Sequence, residues 1–523
     1  MSPEAPVTPI PIRSGPKPLP FVDLRAIKPD PETVLLTPGE FAVKHQVLPL
    51  SIENGTVVAA IGSEASLGAV DSLGVLLDRP VRAVLADPAL IRLQIEERFI
   101  EKILGGFPDE EALGTDIDED ASLNDLQQMA SDSAIVQMVN LIFSQAVRDG
   151  ASDIHIEPYD REVRVRYRLD GIMHVIAKPP KRMHAALISR LKILGEMNIA
   201  ERRLPQDGRI KIQVSGRTID VRVAIVPTMY GERAVMRILD KATSIVGLEA
   251  IGMGPDVIAT FRKIIRQPHG MILSTGPTGS GKSTTLYGAL SELTSVTTNI
   301  LTIEDPVEYQ IFGIGQIQVR PHIGLTFANG LRSIVRQDPD IIMVGEIRDE
   351  ETAEIAIHAA LTGHMVFSTL HTNDAPGAIT RLLDMGVEPY LAASSLVGIL
   401  GQRLLRRNCP NCAAPSKEPA SGLTSLRITK EDVDTHVIKR GAGCDSCSGT
   451  GFKGRTGLFE LLVMDEPLRT MTVERASSSA MKSYATETLG MRTLIEDGRR
   501  AVLQGLTTPE EVLRVCQREE LGD

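Results

Sequence analysis

A short apolar run with strand character, Met271-Ile272-Leu273-Ser274-Thr275, leads directly into Gly276-Pro277-Thr278-Gly279-Ser280-Gly281-Lys282-Ser283, and the helical stretch Thr284–Leu293 follows. Strand, G-x-x-x-x-G-K-[ST] and helix in that order leave little freedom in the local fold, because the loop between them must wrap an anion. The glycines let backbone N–H groups turn inward and cradle phosphate oxygens. The helix N-terminus adds its dipole. Lys282 reaches the β- and γ-phosphates as a point charge, and the Ser283 hydroxyl ligates Mg²⁺. The expectation is an Mg-ATP site made by Gly276, Pro277, Thr278, Gly279, Ser280, Gly281, Lys282, Ser283 and Thr284. A chance Gly-rich turn would not meet the four specified positions of this eight-residue motif between a strand and a helix.

Three further segments supply groups suited to that site. Asp340-Ile341-Ile342-Met343-Val344-Gly345-Glu346 places an acidic group at a strand end, where open α/β sheets hold their ligands. Glu346 there polarises water or supports the Mg²⁺ shell. Leu301-Thr302-Ile303 delivers three carboxylates within five residues, Glu304, Asp305 and Glu308. Such a cluster near phosphates is unfavourable unless a cation or a reacting water uses it. The competing account is an N-cap and first-turn cluster favoured by a helix dipole. Met365–Leu370 is flanked by His364 and His371, which are placed to sense the γ-phosphate or bond the carboxylates.

Cys409-Pro410-Asn411-Cys412 and Cys444-Asp445-Ser446-Cys447 are two C-x-x-C pairs about thirty residues apart. Four thiolates give a closed tetrahedral site suited to Zn²⁺, so the metal is structural and helps fold an insertion with little core of its own. Neither pair sits in the βαβ setting that a redox pair needs. Cys516 reads as a small core residue.

The rest of the 523 residues divides by composition. Residues 1–30 are Pro-rich and read as a flexible arm, with no apolar core for a signal peptide. Residues 31–100 read as a small α/β docking domain, with strands at Val57–Ile61 and Val81–Leu85 and helical spacing from Leu90 to Phe99. Residues 101–130, with Asp116–Asp120, form an acidic linker. Residues 131–245 form an α+β domain opening with a helix at Ala134–Arg148, followed by strands at Asp153–Glu157 and Val163–Arg168. The second strand carries Arg164, Arg166 and Arg168 on one face, which need anionic partners or full solvation. From about residue 246 the strand–loop–helix pattern predicts a mostly parallel sheet, interrupted by the Cys insertion at 405–450, with helical segments filling the rest to Pro509–Gln517. No run approaches the ~18 apolar residues of a membrane span. A net charge of -11, no Trp and 3% aromatics argue against a nucleic-acid translocase.

The stretches GPTGSGKSTT, TIEDPVEY, LRSIVRQDPDIIMVGEIRD and TGHMVFSTLHTNDA resemble, in order, the Walker A, Asp box, Walker B and His box of the secretion ATPase superfamily, and of the type II secretion ATPases in particular. SDIHIEP and RLPQDGRI resemble the preceding, PAS-like domain of that family, and the four-Cys insertion fits as well. The resemblance implies a RecA-like ATPase domain and a homo-hexamer peripheral to the cytoplasmic face of the inner membrane. It implies Glu308 as general base, Glu346 as Mg²⁺ support, and Arg222 and Arg237 as arginine fingers. Implied partners are an inner-membrane anchor protein docked through the N-terminal domain, a polytopic platform protein and acidic phospholipid. The type IV pilus assembly ATPases are the alternative; a single compact domain before residue 110 favours secretion.

Overall fold

A computed structural model describes residues 19–95, apart from scattered positions, and residues 133–516, apart from 215, 240–245, 417–419 and 448. The arm up to residue 18, the acidic linker and the end of the Leu90–Phe99 helix lie outside the described residues. Two compact units are present. One contains the chain up to Tyr167 with Met173–Val214 and Val221–Ile238; the other contains Leu239 onward with the short turns Arg168–Ile172 and Ser215–Asp220.

In the first unit, β1 (Val47–Glu53) runs antiparallel to β2 (Thr56–Ile61), and β3 (Val81–Leu85) lies parallel to β2. The β1–β2 turn is Asn54-Gly55, both at positive φ (51° and 79°), as a two-residue hairpin of the right twist requires. The sequence pattern had shown β2 and β3; β1 adds a strand to them. Leu48, Leu50, Val58, Ala60 and Val84 pack on one side of this sheet. Val47, Ala59, Ile61 and Leu73, the last from the helix Leu67–Leu77, pack on the other.

The same unit holds a six-stranded sheet behind the helix Ser133–Arg148. Its strands are β4 (Asp153–Pro158), β5 (Val163–Leu169), β6 (Ile172–Ala177), β7 (Gln206–Val214), β8 (Arg217–Thr228) and β9 (Gly231–Leu239), in the order β6-β5-β4-β9-β8-β7. Of the β5 arginines, Arg166 pairs with the buried Glu157 at 2.7 Å, and Arg164 pairs with Glu162. The Arg166 and Arg233 guanidiniums hold the Glu157 carboxyl below its ordinary range although burial pushes it up.

The second unit is built on a seven-stranded sheet of β10 (Gly270–Thr275), β11 (Ile300–Glu304), β12 (Gly315–Gln318), β13 (Ile341–Val344), β14 (Met365–Leu370), β15 (Leu396–Asn408) and β18 (Phe452–Val463). The order is β12-β11-β13-β14-β10-β15-β18, and every pair is parallel except β15–β18. Both faces are covered, so alternate residues of one strand enter different cores. Met271, Leu273, Ile342, Val344 and Val366 pack on one side; Ile272, Ile341, Met343 and Phe367 pack on the other, against Phe261 and Leu286.

The long antiparallel pair corrects the expectation that helices fill the chain after the insertion. The insertion is the far end of the β15–β18 hairpin, decorated by a small sheet of β16 (Ala413–Pro415) and β17 (Lys439–Gly441). Only after β18 do the helices Glu466–Val473, Ser478–Glu487, Leu494–Leu503 and Pro509–Cys516 follow. Cys516 is buried among Leu405, Leu458 and Val512, as a small core residue.

Candidate active site

The parallel strands converge at one edge. β10 pairs with β14 through Thr275↔Leu370, β13 with β14 through Val344↔Ser368, and β11 with β13 through Ile303↔Val344. The loops that follow β10, β11, β13 and β14 therefore leave the sheet on the same side, at its C-terminal edge. They carry the P-loop, Glu304-Asp305, Gly345-Glu346 and His371.

The P-loop has the shape its glycines predict. Gly276 sits at φ 149° and Gly281 at φ 91°. A Cβ on Gly276 would lie 2.4 Å from the Gln402 carbonyl oxygen, and one on Gly281 would lie 2.8 Å from Gln402 Nε2, so neither position tolerates a side chain. Gly279 (φ 80°) faces open space. The Ser280 hydroxyl is buried with no hydrogen-bond partner inside the protein. An anion bound in the loop would satisfy such a donor. Lys282 begins the helix Lys282–Leu293, is buried, and its Nζ donates to the carbonyls of Gly276 (2.7 Å) and Pro277 (3.2 Å). Burial lowers its pKa to about 8; the Arg403 charge adds to the depression and Glu346 opposes it. This donor set, an ammonium, inward-turning loop amides and the half-buried hydroxyls of Ser283 and Thr284, fits a triphosphate with its Mg²⁺.

Glu346 follows β13 and is largely buried. Its carboxylate pairs with Arg348 and lies 3.4 Å from His371 Nε2. The neighbouring strands hold its backbone: Gly345 N–H donates to the Ile303 carbonyl (2.8 Å) and Ile347 N–H to that of Thr369 (3.1 Å). Glu304 behaves differently from the other two carboxylates of its cluster. It is 3% exposed and accepts from Tyr287 Oη, Thr302 Oγ1 (2.5 Å) and Gln316 Nε2 (3.2 Å). Its oxygens are thus engaged inside the sheet, whereas Asp305 is exposed and Glu308 half-buried. Tyr287 Oη also accepts from the Glu308 N–H at 3.4 Å, so one buried phenol on the P-loop helix steadies both ends of the acidic segment. Tyr287 was not among the sequence candidates, since its role arises only from tertiary contact.

The two histidines separate. His371 lies at the phosphate edge with Glu346. His364 precedes β14 at the opposite edge, where its Nδ1 bonds the Ala359 carbonyl (2.9 Å) at the end of the helix Glu350–Leu361. Six strand residues span roughly 20 Å, so His364 belongs to a helix terminus and not to the site. Arg222 on β8 and Arg237 on β9 lie in the first unit. Arg237 Nε donates to Asp153 Oδ1 at 3.0 Å and stays largely exposed.

The four insertion cysteines come together. Cys409–Cys444, Cys412–Cys447 and Cys444–Cys447 sulfurs are 3.8, 3.9 and 3.7 Å apart. A disulfide needs ~2.05 Å. A tetrahedron with ~2.3 Å metal–sulfur bonds has edges of ~3.8 Å, so this donor set fits zinc. Burial pushes the Cys447 thiol up, but N–H groups of Cys444 and Gly451, at 3.2 and 3.3 Å, outweigh it and hold it at about 6.

Residues 128–514 match the sequence model of the family described as "Type II/IV secretion system protein", and residues 18–102 match the MshEN domain. The chain is 42% identical to the type IV pilus assembly ATPase PilB of Myxococcus xanthus over 503 residues, 95% of this chain and 88% of that one. It is 47% identical to the type II secretion system ATPase E of Vibrio cholerae over 417 residues, 78% and 82% of the respective chains. Among solved structures, the Legionella pneumophila ATPase DotB shares the fold, with a TM-score of 0.54, 21% identity, and coverage of 74% of this chain and 96% of that one.

Proposed function

Because this chain belongs to the type II/IV secretion system protein family and is an ATP-hydrolysing secretion enzyme, we propose that the edge formed by the P-loop, Glu308, Glu346 and His371 is where it binds and cleaves ATP. The observation that carries this is the convergence of four strand ends on one edge of the sheet, with a buried ammonium and an unpartnered buried hydroxyl in the loop. Lys282 and the loop amides hold the triphosphate tail. Bound Mg²⁺, held through Ser283 and supported by Glu346, would neutralise the developing phosphate charge. Glu308 accepts the proton of the attacking water as its oxygen bonds to the γ-phosphorus and the bond to the bridging oxygen breaks; ADP and phosphate leave. Arg222 and Arg237 are assigned to charge stabilisation on the γ-phosphoryl oxygens, delivered by the first unit of the same or a neighbouring chain. Glu304 serves as an internal brace and Asp305 lines the edge.

The wider assignment is a homo-hexameric motor for type II secretion on the cytoplasmic face of the inner membrane. Its N-terminal domain docks an anchor protein, with a platform protein and acidic phospholipid as further contacts. The MshEN match supports an interaction module at residues 18–102. Among the described residues no helix is long and apolar enough to cross a membrane. Pilus assembly is the second reading, supported by the match to PilB over 95% of this chain and 88% of that one.

Lys282→Ala in the full chain tests the site. Turnover should fall by at least ~10³-fold, since the group that meets the transferring phosphate is gone, with the fold retained. An unaltered rate would place the chemistry elsewhere. Addition of single-stranded DNA should leave the rate unchanged.

A further inference from the structure

Two buried side chains on β15 carry no part of the hydrolysis described above. Gln402 and Arg403 are 1% and 4% exposed, and they follow Gly401, which pairs with Thr275, the last strand residue before the P-loop. Gln402 Oε1 accepts from Thr285 Oγ1 at 2.9 Å, on the P-loop helix. The Gln402 carbonyl packs under Gly276 so closely that a Cβ there would be 2.4 Å away. Arg403 Nη1 donates to that same carbonyl at 3.1 Å and lies 3.2 Å from the position of such a Cβ. Its Nη2 donates at 2.7 Å to the Asn373 carbonyl, in the loop between His371 and the helix Ala375–Asp384. Thr372 and Thr275 stitch this loop to β10 a second time, Oγ1 to Oγ1 at 2.6 Å and N–H to Oγ1 at 2.9 Å.

We propose that Arg403 is a positioning residue for hydrolysis: its guanidinium, packed against Gly276 and bonded to the Asn373 carbonyl, fixes the register between the P-loop and the loop bearing His371, so that the phosphate held on the first meets His371 on the second, beside Glu346 at the end of β13. This rests on the P-loop being the nucleotide site. The guanidinium is a rigid planar fork whose two terminal nitrogens hold the Gln402 and Asn373 carbonyls at a fixed spacing, whereas a lysine offers one compact ammonium on a flexible stem. Binding of the diphosphate portion needs the loop amides and Lys282, and so is indifferent to the second loop. Turnover needs both loops, and a misplacement of 1 Å costs about 10²-fold in rate.

The test uses full-length Arg403→Gln, Arg403→Lys and Thr372→Val, with Lys282→Ala alongside. It reads kcat and KM for ATP, the Kd of a fluorescent ADP analogue, and melting as a check of fold. Arg403→Gln and Thr372→Val should lose about tenfold or more in kcat with ADP-analogue affinity within about threefold of the parent, and Arg403→Lys should fall between. A parental kcat in folded Arg403→Gln, or an equal loss of affinity and kcat, overturns the proposal. Should Arg403→Gln not fold, parental kcat in both other variants overturns it. Retained ADP-analogue affinity in Lys282→Ala would instead remove the P-loop premise, a separate failure.

Discussion

At the scale of single residues, the proposed ATP site holds its strongest binding group poised to discharge just above neutral pH. Lys282 sits at about 8 because burial disfavours its charged form, with Arg403 adding to the effect and Glu346 working against it. Phosphate favours the charged form. Below pH 8 the ammonium is already protonated, so nucleotide affinity should be flat. Above pH 8 each binding event must also take up a proton, and Kd should rise toward about tenfold per pH unit. Titrating a fluorescent ADP analogue from pH 7 to 9.5 checks this, and a flat profile contradicts it. Glu308→Gln isolates the proposed proton acceptor: ATP affinity should hold while kcat drops by about 10²–10⁴, and an undiminished kcat would move the base elsewhere. The P-loop was legible in the sequence because the motif is local and its glycines report backbone shape directly. Tyr287, Gln402 and Arg403 were not, since nothing in their neighbours along the chain says what they meet across the sheet. His364 and His371 looked equivalent because a strand's two ends are close in sequence and far apart in space.

At the scale of elements, the β15–β18 hairpin decides how the end of the chain is held. β15 is buried on both faces, so LVGILGQRLLRRN shows neither alternation nor a clean helical stripe, and a strand there could not be told from a helix by periodicity. The four-cysteine cluster at its tip was legible because spacing alone specifies four thiols. Cys444→Ser should lose the metal and its protection, read as zinc below one per chain and faster hydrogen exchange in Ala413–Pro415 and Lys439–Gly441; a full zinc complement would refute the four-thiolate centre. Nearer the sheet, the helix Pro509–Cys516 is fastened to β15 by Glu511, whose buried carboxylate meets Arg406 at 2.8 Å and Arg514 at 2.6 Å. Burial pushes this carboxyl up, yet the two guanidiniums prevail and hold it at about 2. Its folded value thus lies below the ordinary 4.5, so its contribution is complete above about pH 4.5 and is lost as pH falls through about 2. Removing the charge strands two arginines: Glu511→Gln should weaken the docking of this helix by about 3 kcal/mol at pH 7, read as lost exchange protection over Pro509–Cys516, whereas unchanged protection would show that the pair adds nothing.

At the scale of the whole molecule, the question is whose arginines complete whose site. The proposed arginine fingers and the proposed base belong to different units of the chain, Arg237 to the first and Glu308 to the second. If each site is closed by a neighbouring subunit, two inactive variants repair one another. In an equimolar mixture of Arg237→Ala and Glu308→Gln, roughly a quarter of head-to-tail interfaces would join an intact arginine from one subunit to an intact base from the next. The mixture should then recover measurable ATPase activity after subunit exchange, while each variant alone stays near background. If each site is closed within its own chain, every site in the mixture lacks one group and no activity returns. Arg237 is paired with Asp153 at 3.0 Å in the free chain, so reaching a phosphate means leaving that carboxylate. The exchange is favourable only where the incoming anion carries more charge than the one given up, which a γ-phosphoryl group does and a diphosphate product, once phosphate has left, does less well. The same mixture should therefore assemble more tightly with a non-hydrolysable ATP analogue than with ADP, as read by mass photometry. Indifference to the nucleotide would separate the arginines from the cycle that drives the motor.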